Sequence, residues 1–544
     1  MTPIALFLAA ETPLRIYLNR IFMKDPFQGL YQLNGFDLLL IVPYFTILII
    51  LALYGLHRYY LVYTYFRHRR NRPVPPPGEW APLPRVTVQL PLYNERYVAE
   101  RLIEEVCRLD YPRELLEIQV LDDSTDETVT VARHCVERYA ALGYPVGYYH
   151  RDNREGYKAG ALAEGLRRAQ GEFIAIFDAD FLPPPDFLEK TLSYFLDSRV
   201  AMVQTRWNYI NRNYSILTRV QSILLDGHFI LESGGRSRSG CFFNFNGTAG
   251  IWRRKAIENS GGWQHDTLTE DTDLSYRAQL QGWKFVYLQD VECFSELPVE
   301  MNAFRSQQAR WAKGLIQTGR KLLPTLWRAR LPWRIKMEAF FHLTANISYP
   351  LMSVMAALLL PGMIVRFYQG WFQMLYIDLP LLLASTASIS TFYLAAQREL
   401  FPKTWKQTIP YLPFLMATGI GLTLTNSKAV LEALCGVQSE FVRTAKYRIE
   451  SAVDRIRTKK YRHRTARWVA AVEVLAGCYF GYATYYAAAN EYYLTVPFLF
   501  LFVIGYLWTG LFSLSQGKME RAVEALGAWL SPPLGPTADD PQKP

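Results

Sequence analysis

One apolar run limits what this chain can fold into. From Phe36 to Tyr60 the sequence is almost continuously hydrophobic, with LLLIVPYFTILIILALYGL at its centre. A helix of about 20 residues crosses the hydrocarbon layer of a bilayer, so this run is long enough to span a membrane. The basic stretch HRYYLVYTYFRHRRNRP follows directly. Because positively charged flanks stay in the cytoplasm, we predict that the N-terminus lies outside and the chain after residue 64 inside.

Further apolar segments follow residue 330. Two transmembrane helices are predicted within 338–397 and two within 467–515, which makes five spans in all. The stretch 402–436 is also apolar, but the sequence on both sides of it is basic. Both flanks should then be cytoplasmic, so we predict an interfacial or re-entrant helix there, with a sixth span as the alternative.

The remaining segments are assigned by composition. They are an external segment (1–34), the first transmembrane helix (35–63), a proline-rich linker (64–84), a soluble domain (85–300), interfacial helices (301–337), a cytoplasmic loop (437–466) and a disordered tail (516–544). One acid, Glu473, lies inside a predicted span and is interpreted as a partner of Arg464 or Arg467. The net charge of +10 is concentrated beside the spans and no nucleic-acid-binding motif accompanies it, so no nucleic-acid partner is expected.

Strand-like and helix-like patterns alternate in the soluble domain. VTVQLPLYNE, EIQVLDDST and GEFIAIFDADF are apolar runs that end in polar or acidic residues. Such alternation predicts a mostly parallel sheet with helices on both faces, in which ligands bind at the carboxyl ends of the strands. Five side chains follow strand ends: Asn94, Asp122, Asp123, Asp178 and Asp180.

The acids of these strand ends suit a divalent cation. Asp178 and Asp180 are one residue apart, and Mg²⁺ or Mn²⁺ favours carboxylate oxygens together with the oxygens of a bound nucleoside diphosphate. A solvated turn is the alternative. Asp122 and Asp123 precede Ser124 and equally suit a helix cap. Lys158 either meets a diphosphate or lies on the surface.

Two later motifs carry further chemistry. Glu270 and Asp271 open a helical pattern after Thr269, where a carboxylate either acts as a general base or stabilises the helix start. Arg310 and Trp311 lie in a second helical pattern; they suit a diphosphate and a sugar ring, or a membrane interface. Other tryptophans of the region are interpreted mainly as packing residues: Trp207, Trp252, Trp263 and Trp283.

Taken in order, these motifs resemble a known family. PLYNE, LDDS, DAD, FNGTAG, TED and QQARW follow one another as in the processive family 2 glycosyltransferases, of the cellulose synthase and cellulose synthase-like group. FNGTAGIWRR is similar to the mannan and glucan synthases of that group. The segment Phe441–Lys446 resembles their FxxTxK gating loop, with Arg443 where valine is usual. The resemblance implies a cytoplasmic α/β domain of the GT-A (Rossmann-like) fold, embedded in an α-helical transmembrane bundle.

The resemblance also implies a role for each motif residue. Donor contacts are expected from Tyr93, Glu95, Asp122, Asp123, Lys158, Asp178, Gln307 and Arg310. Metal binding is expected from Asp178 and Asp180, catalysis from Asp271 with Glu270, and acceptor binding from Trp311 and Thr269. Closure over the donor is expected from Phe441, Thr444 and Lys446.

The implied function is an inverting, processive β-glycosyltransferase in the cell (inner or plasma) membrane. With Mg²⁺ or Mn²⁺ it would polymerise sugar from UDP-glucose or GDP-mannose into a β-1,4-linked glucan or mannan and export the polymer. Its partners would be the nucleotide-sugar donor, the growing polysaccharide and membrane lipid; accessory subunits are left open. The alternative is a single addition to a lipid acceptor, as in ceramide glucosyltransferases. Product length separates the two.

Overall fold

A computed structural model describes residues 34–368, 375–441, 443–449, 467–491, 493 and 495–530. Within this part of the chain, strands form only between the first apolar helix and residue 300. They are β1 (Val86–Leu92), β2 (Leu116–Asp122), β3 (Val146–His150), β4 (Phe173–Ile176), β5 (Val200–Tyr209), β6 (Gly250–Arg253) and β7 (Lys284–Ser295). Residues 1–33 of the predicted external segment lie outside the described residues. Of the predicted disordered tail (516–544), residues 516–530 belong instead to the last helix, and 531–544 lie outside the described residues.

The strands form one mixed sheet in the order β3-β2-β1-β4-β6-β5-β7. β1 pairs in parallel with β2 and β4, β2 with β3, and β5 with β7, whereas β6 is antiparallel to both its neighbours. Leu92 lies opposite Asp122, and Gln89 opposite Ile176, so β1, β2 and β4 end at one edge of the sheet. The prediction of a mostly parallel sheet therefore describes most strand pairs and misses the reversal at β6.

Helices cover the sheet and continue beyond it. In the sheet region they are α1 (Gly35–Arg67), α2 (Ala99–Cys107), α3 (Thr128–Ala141), α4 (Tyr157–Arg168), α5 (Phe187–Leu192), α6 (Ile216–Gly227), α7 (Gly234–Ser239), α8 (Arg254–Asn259) and α9 (Glu270–Leu280). Beyond it follow α10 (Met301–Arg328), α11 (Trp333–Thr344), α12 (Ser348–Tyr368), α13 (Leu375–Leu400), α14 (Leu412–Gly421), α15 (Thr423–Leu434), α16 (Arg467–Ala489) and α17 (Val496–Leu530). A single π-helical turn, His228–Ser233, joins α6 to α7.

The sheet separates two hydrophobic cores. Successive strand residues point to opposite faces, and in β4 Phe173 and Ala175 belong to one core while Ile174 and Ile176 belong to the other. This burial on both faces explains why β4 reads as a continuous apolar run instead of an alternating pattern.

Three helical segments are long and apolar enough to cross a membrane among the residues that the structure describes: Gly35–Arg67, Trp333–Val365 and Val496–Leu514. Helices also occupy the other two predicted spans, α13 and α16, but neither meets the same criterion of length and composition. α13 carries the polar run STASIST, and α16 begins at Arg467 and contains Glu473. The number of spans therefore stays a prediction.

The ambiguous stretch 402–436 is two helical segments with a bend. Trp405–Gly421 and Thr423–Leu434 meet at an angle of 44° and together are apolar enough for a broken span or a re-entrant loop. Both possibilities considered from the sequence are compatible with this geometry, so the re-entrant assignment stays a prediction.

The acid in α16 has a different partner from the one expected. Glu473 Oε2 accepts a hydrogen bond from Arg305 in α10 at 2.7 Å, and both side chains are buried. The structure gives it Arg305 as a partner in place of the expected Arg464 or Arg467, because α10 packs against α17, which lies beside α16. The pair joins the C-terminal helices to the helix that carries Gln307, Arg310 and Trp311.

Candidate active site

One cleft collects the strand ends that the sequence predicted to carry the site. The turns after β1 and β2 are cross-linked, since the Asn94 backbone N–H donates to Ser124 Oγ (2.7 Å) and Asn94 Oδ1 accepts from the Thr125 N–H (2.8 Å). Asn94 has a φ of 53°, a left-handed conformation that asparagine tolerates better than most residues. The turn directs Tyr93 and Glu95 into the cleft.

The two aspartates after β2 differ in position. Asp123 lines the cleft and accepts two hydrogen bonds from Arg151, at 2.7 Å and 2.5 Å. Asp122 is fully buried behind it; its carboxylate accepts hydrogen bonds from Tyr148 Oη (2.6 Å) and from the Ser124 N–H (2.9 Å). Asp122 thus holds the strand end and the turn together, and a direct contact with a donor stays a prediction for it.

Each predicted metal-binding aspartate faces a lysine. Lys158 Nζ donates to Asp178 Oδ1 at 2.5 Å, and Lys446 Nζ donates to Asp180 Oδ2 at 2.6 Å. Burial lowers the pKa of Lys158, but Asp178 and Glu270 outweigh that effect and raise it. The ammonium of Lys158 therefore stays charged and Asp178 keeps an ionised partner.

Glu270 and Asp271 begin α9 inside the cleft. Burial raises the pKa of both carboxyls, and the neighbouring Glu270 raises that of Asp271 further, while Lys158 and Arg310 oppose the shift. A base with a raised pKa is suited to accept a proton near neutral pH. The Thr269 side chain makes no capping hydrogen bond; its Oγ1 instead lies 3.2 Å from Thr318 Oγ1.

The helix α10 brings the QQARW motif beside these acids. Gln307, Arg310 and Trp311 line the same cleft. Close approach of α10 depends on Gly314, since a Cβ there would lie 2.5 Å from Thr269 Cγ2. Burial lowers the pKa of Arg310, and no described residue accepts a hydrogen bond from its Nε. A cation with such a buried, unpartnered donor is suited to an anionic ligand.

Part of the predicted gating loop (437–466) lies in the cleft. The structure describes 437–441 and 443–449 of it. Arg310 stacks its guanidinium on the Phe441 ring at 4.4 Å, and Arg154 donates to the Phe441 carbonyl at 3.4 Å. Thr444 is buried at the cleft wall. The loop is thus inserted between the strand ends and α10.

Arg443, the residue that departs from the family pattern, forms an ion pair with Glu95 at 3.5 Å. Burial raises the pKa of Glu95 to about 7; Arg443 opposes the shift, and Asp180 and Asp178 add to it. The loop therefore supplies two cations to the acidic wall, Arg443 to Glu95 and Lys446 to Asp180.

All of the predicted site residues except Asp122 line this cleft. Sequence reasoning did not assign Arg151, Arg154 or Asn246 to the site, and Trp207 was interpreted mainly as a packing residue although it lines the cleft. The arginines stand in RDNREGYKAG, between β3 and α4, where a basic segment at another strand end was an available signal. Asn246 lies in FNGTAG, a motif recognised only by resemblance.

Comparison with known proteins agrees with these motifs. Residues 84–314 match the family described as glycosyltransferase like family 2. Glucomannan 4-beta-mannosyltransferase 1 of Oryza sativa subsp. japonica is 45% identical over 270 residues, which is 48% of this chain and 52% of that protein. Glucomannan 4-beta-mannosyltransferase 2 of Arabidopsis thaliana is 47% identical over 251 residues, 45% of this chain and 47% of that protein. The chain thus spans about half the length of the curated relatives it matches.

A more distant likeness exists among solved structures. The mannosyltransferase PcManGT from Pyrobaculum calidifontis, in complex with GDP-Man and Mn²⁺, is 24% identical with a TM-score of 0.47, over 66% of this chain and 99% of that one. The sequence match is independent of it and confirms the predicted family. Residues 84–314 of this chain therefore form a domain of glycosyltransferase-like family 2, of the cellulose synthase-like group that the motifs predicted.

Proposed function

We propose that this protein is a membrane-embedded, inverting and processive β-glycosyltransferase that makes a β-1,4-linked mannan. One observation carries the proposal: a single cleft brings together four groups of acids with the QxxRW residues and the gating loop. Three of these groups follow β1, β2 and β4, and the fourth begins α9. The names of the relatives favour GDP-mannose over UDP-glucose as the donor.

Asp271 is proposed as the general base. It would accept the proton of an acceptor hydroxyl as that oxygen attacks the anomeric carbon of the donor. Its position in the cleft beside the cation Lys158 supports this role. Both side chains approach Gly247: a Cβ there would lie 3.1 Å from Asp271 Oδ2 and 3.5 Å from Lys158 Nζ. One in-line displacement of this kind inverts the α-linked donor to a β-linked product.

Arg310 and Lys158 are proposed to hold the departing diphosphate. Both are cations in the cleft, and preorganised positive groups stabilise negative charge that develops on a leaving group. Trp311 is proposed to stack against the acceptor sugar, which suits the flat apolar face of a pyranose. Phe441 and Thr444 would close over the donor and exclude water, since hydrolysis competes with transfer.

The acidic wall fits a divalent cation. Asp178 and Asp180 each attract a lysine ammonium, and both add to the effect of burial in raising the pKa of the nearby Glu95. Among the described residues no cluster of three or more His, Cys, Asp or Glu side chains is placed to hold a metal, so diphosphate oxygens and water would complete the shell. Mg²⁺ or Mn²⁺ bound there would neutralise charge on the leaving diphosphate.

The apolar helices support the proposed location. With α1 and the C-terminal helices in the bilayer, the basic flank after α1 puts the family 2 domain on the cytoplasmic side, where nucleotide sugars are available. A polymer leaving the cleft would then pass between the helices to the outside.

Radiolabelled transfer by the purified full chain in detergent with Mn²⁺ tests the proposal. GDP-mannose, UDP-glucose and UDP-N-acetylglucosamine are offered in parallel, and products are digested with linkage-specific hydrolases. A high-molecular-weight product from GDP-mannose that is sensitive to β-mannanase is expected. A chloroform-soluble glycolipid as sole product would replace the proposal with the single-addition alternative, and absence of transfer from every donor would overturn it.

A further inference from the structure

The turn between α10 and α11 exposes two tryptophans. We name residues 327–336 the tryptophan–arginine corner. The rings of Trp327 and Trp333 lie 5.3 Å apart, and the two residues are 37% and 66% exposed. Lys336 Nζ donates to the Trp327 carbonyl at 2.8 Å, so the turn itself holds the two rings side by side. Large apolar rings that are exposed together mark a surface that meets a partner or a membrane.

The charge of this corner is positive. Three of its arginines are exposed: Arg328, Arg330 and Arg334. The sequence contains no Asp or Glu from 301 to 337, and the next acid, Glu338, is buried and accepts a hydrogen bond from Arg236 at 2.8 Å. None of the three arginines forms an ion pair with another residue that the structure describes. A ligand that complements this surface is therefore an anion.

Contacts with α1 give the level of the corner along the predicted span. Tyr54 Oη donates to Thr344 Oγ1 at 2.9 Å, and the ring of His57 stacks on that of Phe341 at 4.3 Å. Because the partners in α11 recede as α1 advances, the two helices run antiparallel. From Phe341 back to Trp333, α11 advances about 12 Å toward the end of α1 whose basic flank is predicted to be cytoplasmic.

The first apolar helix also exposes aromatic side chains at this level. Tyr63 and Phe66 are exposed near the end of α1. Exposed aromatic rings at one depth on neighbouring helices are typical of the aromatic belt, in which the rings lie among the lipid headgroups. The corner also adjoins the apolar segment Trp333–Val365, which is long enough to cross a membrane. With these helices in the bilayer, the corner lies where that segment leaves the hydrocarbon layer.

An anionic phospholipid is the occupant that these features favour. Its phosphate oxygens accept hydrogen bonds from guanidinium groups, and its acyl chains enter the layer from which the apolar segment emerges. A zwitterionic headgroup carries its own cation beside the phosphate, so a basic surface attracts it less. A soluble anion would meet the arginines but would leave the tryptophan rings uncovered.

We propose that the tryptophan–arginine corner binds the headgroup of an anionic phospholipid, with its two tryptophans at headgroup depth and its arginines donating to the lipid phosphate. The inference rests on the membrane location that is part of the proposed function, and goes beyond it by assigning one class of lipid to named residues. Because α10 also carries Gln307, Arg310 and Trp311, the lipid would hold the far end of a helix that lines the cleft.

The test detects lipid contact at the corner itself. The full chain is placed in nanodiscs of phosphatidylcholine with an increasing mole fraction of brominated phosphatidylglycerol or brominated phosphatidylcholine, whose bromine atoms quench tryptophan fluorescence on contact. The variant Trp327→Phe with Trp333→Phe gives the signal of the remaining tryptophans, and subtraction leaves that of the corner. Brominated phosphatidylglycerol should reach half-maximal quenching of the corner at a mole fraction at least about 5-fold lower, the factor expected for one arginine at an anionic surface.

Charge variants separate attraction to the corner from attraction to the whole protein. The first variant neutralises the three exposed arginines of the corner and should bring the preference close to one: Arg328→Gln, Arg330→Gln and Arg334→Gln. Replacing the same three arginines with lysine should retain the preference, because lysine keeps the charge. The matched control removes the same charge from exposed arginines of the family 2 domain and should leave the preference unchanged: Arg108→Gln, Arg167→Gln and Arg199→Gln.

The remaining outcomes are also decisive. Equal quenching by the two lipids in the unchanged chain, or a preference that the glutamine variant of the corner keeps, overturns the inference. A preference that the matched control also loses would assign it to the overall charge, and competition by inorganic phosphate would replace the lipid with a soluble anion; both results overturn it.

Failure of the proposed function is read separately. A chain that transfers no sugar but keeps the lipid preference refutes the proposed activity and leaves this inference standing. Corner tryptophans that neither brominated lipid quenches lie outside the bilayer; that result overturns the inference and leaves the transferase activity to its own assay.

Discussion

Replacing Lys446 with methionine should make the cleft bind a divalent cation more tightly in the absence of donor. Lys446 reaches Asp180 from the gating loop, and its ammonium also donates to the Glu296 carbonyl. A cation that takes Asp180 as a ligand must therefore displace the lysine or share the carboxylate with it. Methionine keeps much of the length of the side chain and removes the charge.

The size of the effect follows from the geometry of the pair. The Nζ–Oδ2 distance is 2.6 Å, and the side chains of Lys446 and Asp180 are 8% and 11% exposed. With an effective dielectric constant of about 20, opposite unit charges at this distance attract by about 6 kcal/mol. Desolvation of both groups offsets most of this, and a hydrogen bond between charged groups contributes about 1.5–3 kcal/mol net. The dissociation constant for Mn²⁺ should fall by about 10- to 150-fold.

The assay is a titration of the full chain with Mn²⁺ in detergent, followed by the electron paramagnetic resonance signal of the free ion. Lys403→Met, an exposed lysine outside the cleft, is the control and should bind Mn²⁺ as the unchanged chain does. Asp180→Asn should weaken binding with or without Lys446. An unchanged or weaker affinity for Mn²⁺ in Lys446→Met would refute the idea that the loop lysine and the metal compete for one carboxylate.

Three further predictions concern the base and the buried ion pair. Asp271→Asn should lower kcat by about 10²- to 10⁴-fold and leave donor binding intact; an unchanged kcat would remove Asp271 from the role of general base. Because burial raises the pKa of Asp271 and only its deprotonated form accepts a proton, the rate should fall as the pH drops through a value above the ordinary aspartate range; an acid limb at about 3.9 would contradict this. Glu473→Gln should leave Arg305 buried without its counter-charge, at a cost of about 3–5 kcal/mol, and lower the unfolding temperature in detergent. The charge swap Arg305→Glu with Glu473→Arg should recover part of that loss. A Glu473→Gln variant with the same unfolding temperature as the unchanged chain would refute the pairing.

Several features of the site were predictable because they depend on local patterns. The acids after β2 and β4 follow apolar runs, and parallel strands that end at one edge bring their following residues together. Asp123, Asp178 and Asp180 accordingly line one cleft. The motifs that follow residue 240 had weaker local signals, and their assignment depended on their order along the chain.

Other features depend on contacts between distant parts of the chain. β6 is four residues long and reverses the sheet locally, which no hydrophobic period reveals in so short a run. Glu473 was expected to pair with an arginine near it in the sequence, but its partner is Arg305, which lies 168 positions away along the chain. Asp122 carries the same motif as its neighbour, yet only the packing of Tyr148 against it decides that it lies behind the cleft wall.

The sequence by itself determined the apolar helices and the strand ends, because both are recognised from residues that are neighbours along the chain. Hydropathy is an average over a short window, and a strand end is an apolar run followed by polar residues. The tertiary structure alone decided which cation faces which carboxylate: Lys446 meets Asp180 across 266 positions, and Arg443 meets Glu95 in the same cleft. Burial and the Arg443 pairing act together on the pKa of Glu95, which burial raises and Arg443 lowers. Charge interaction and burial depend on distance in space, and distance along the chain carries no information about them.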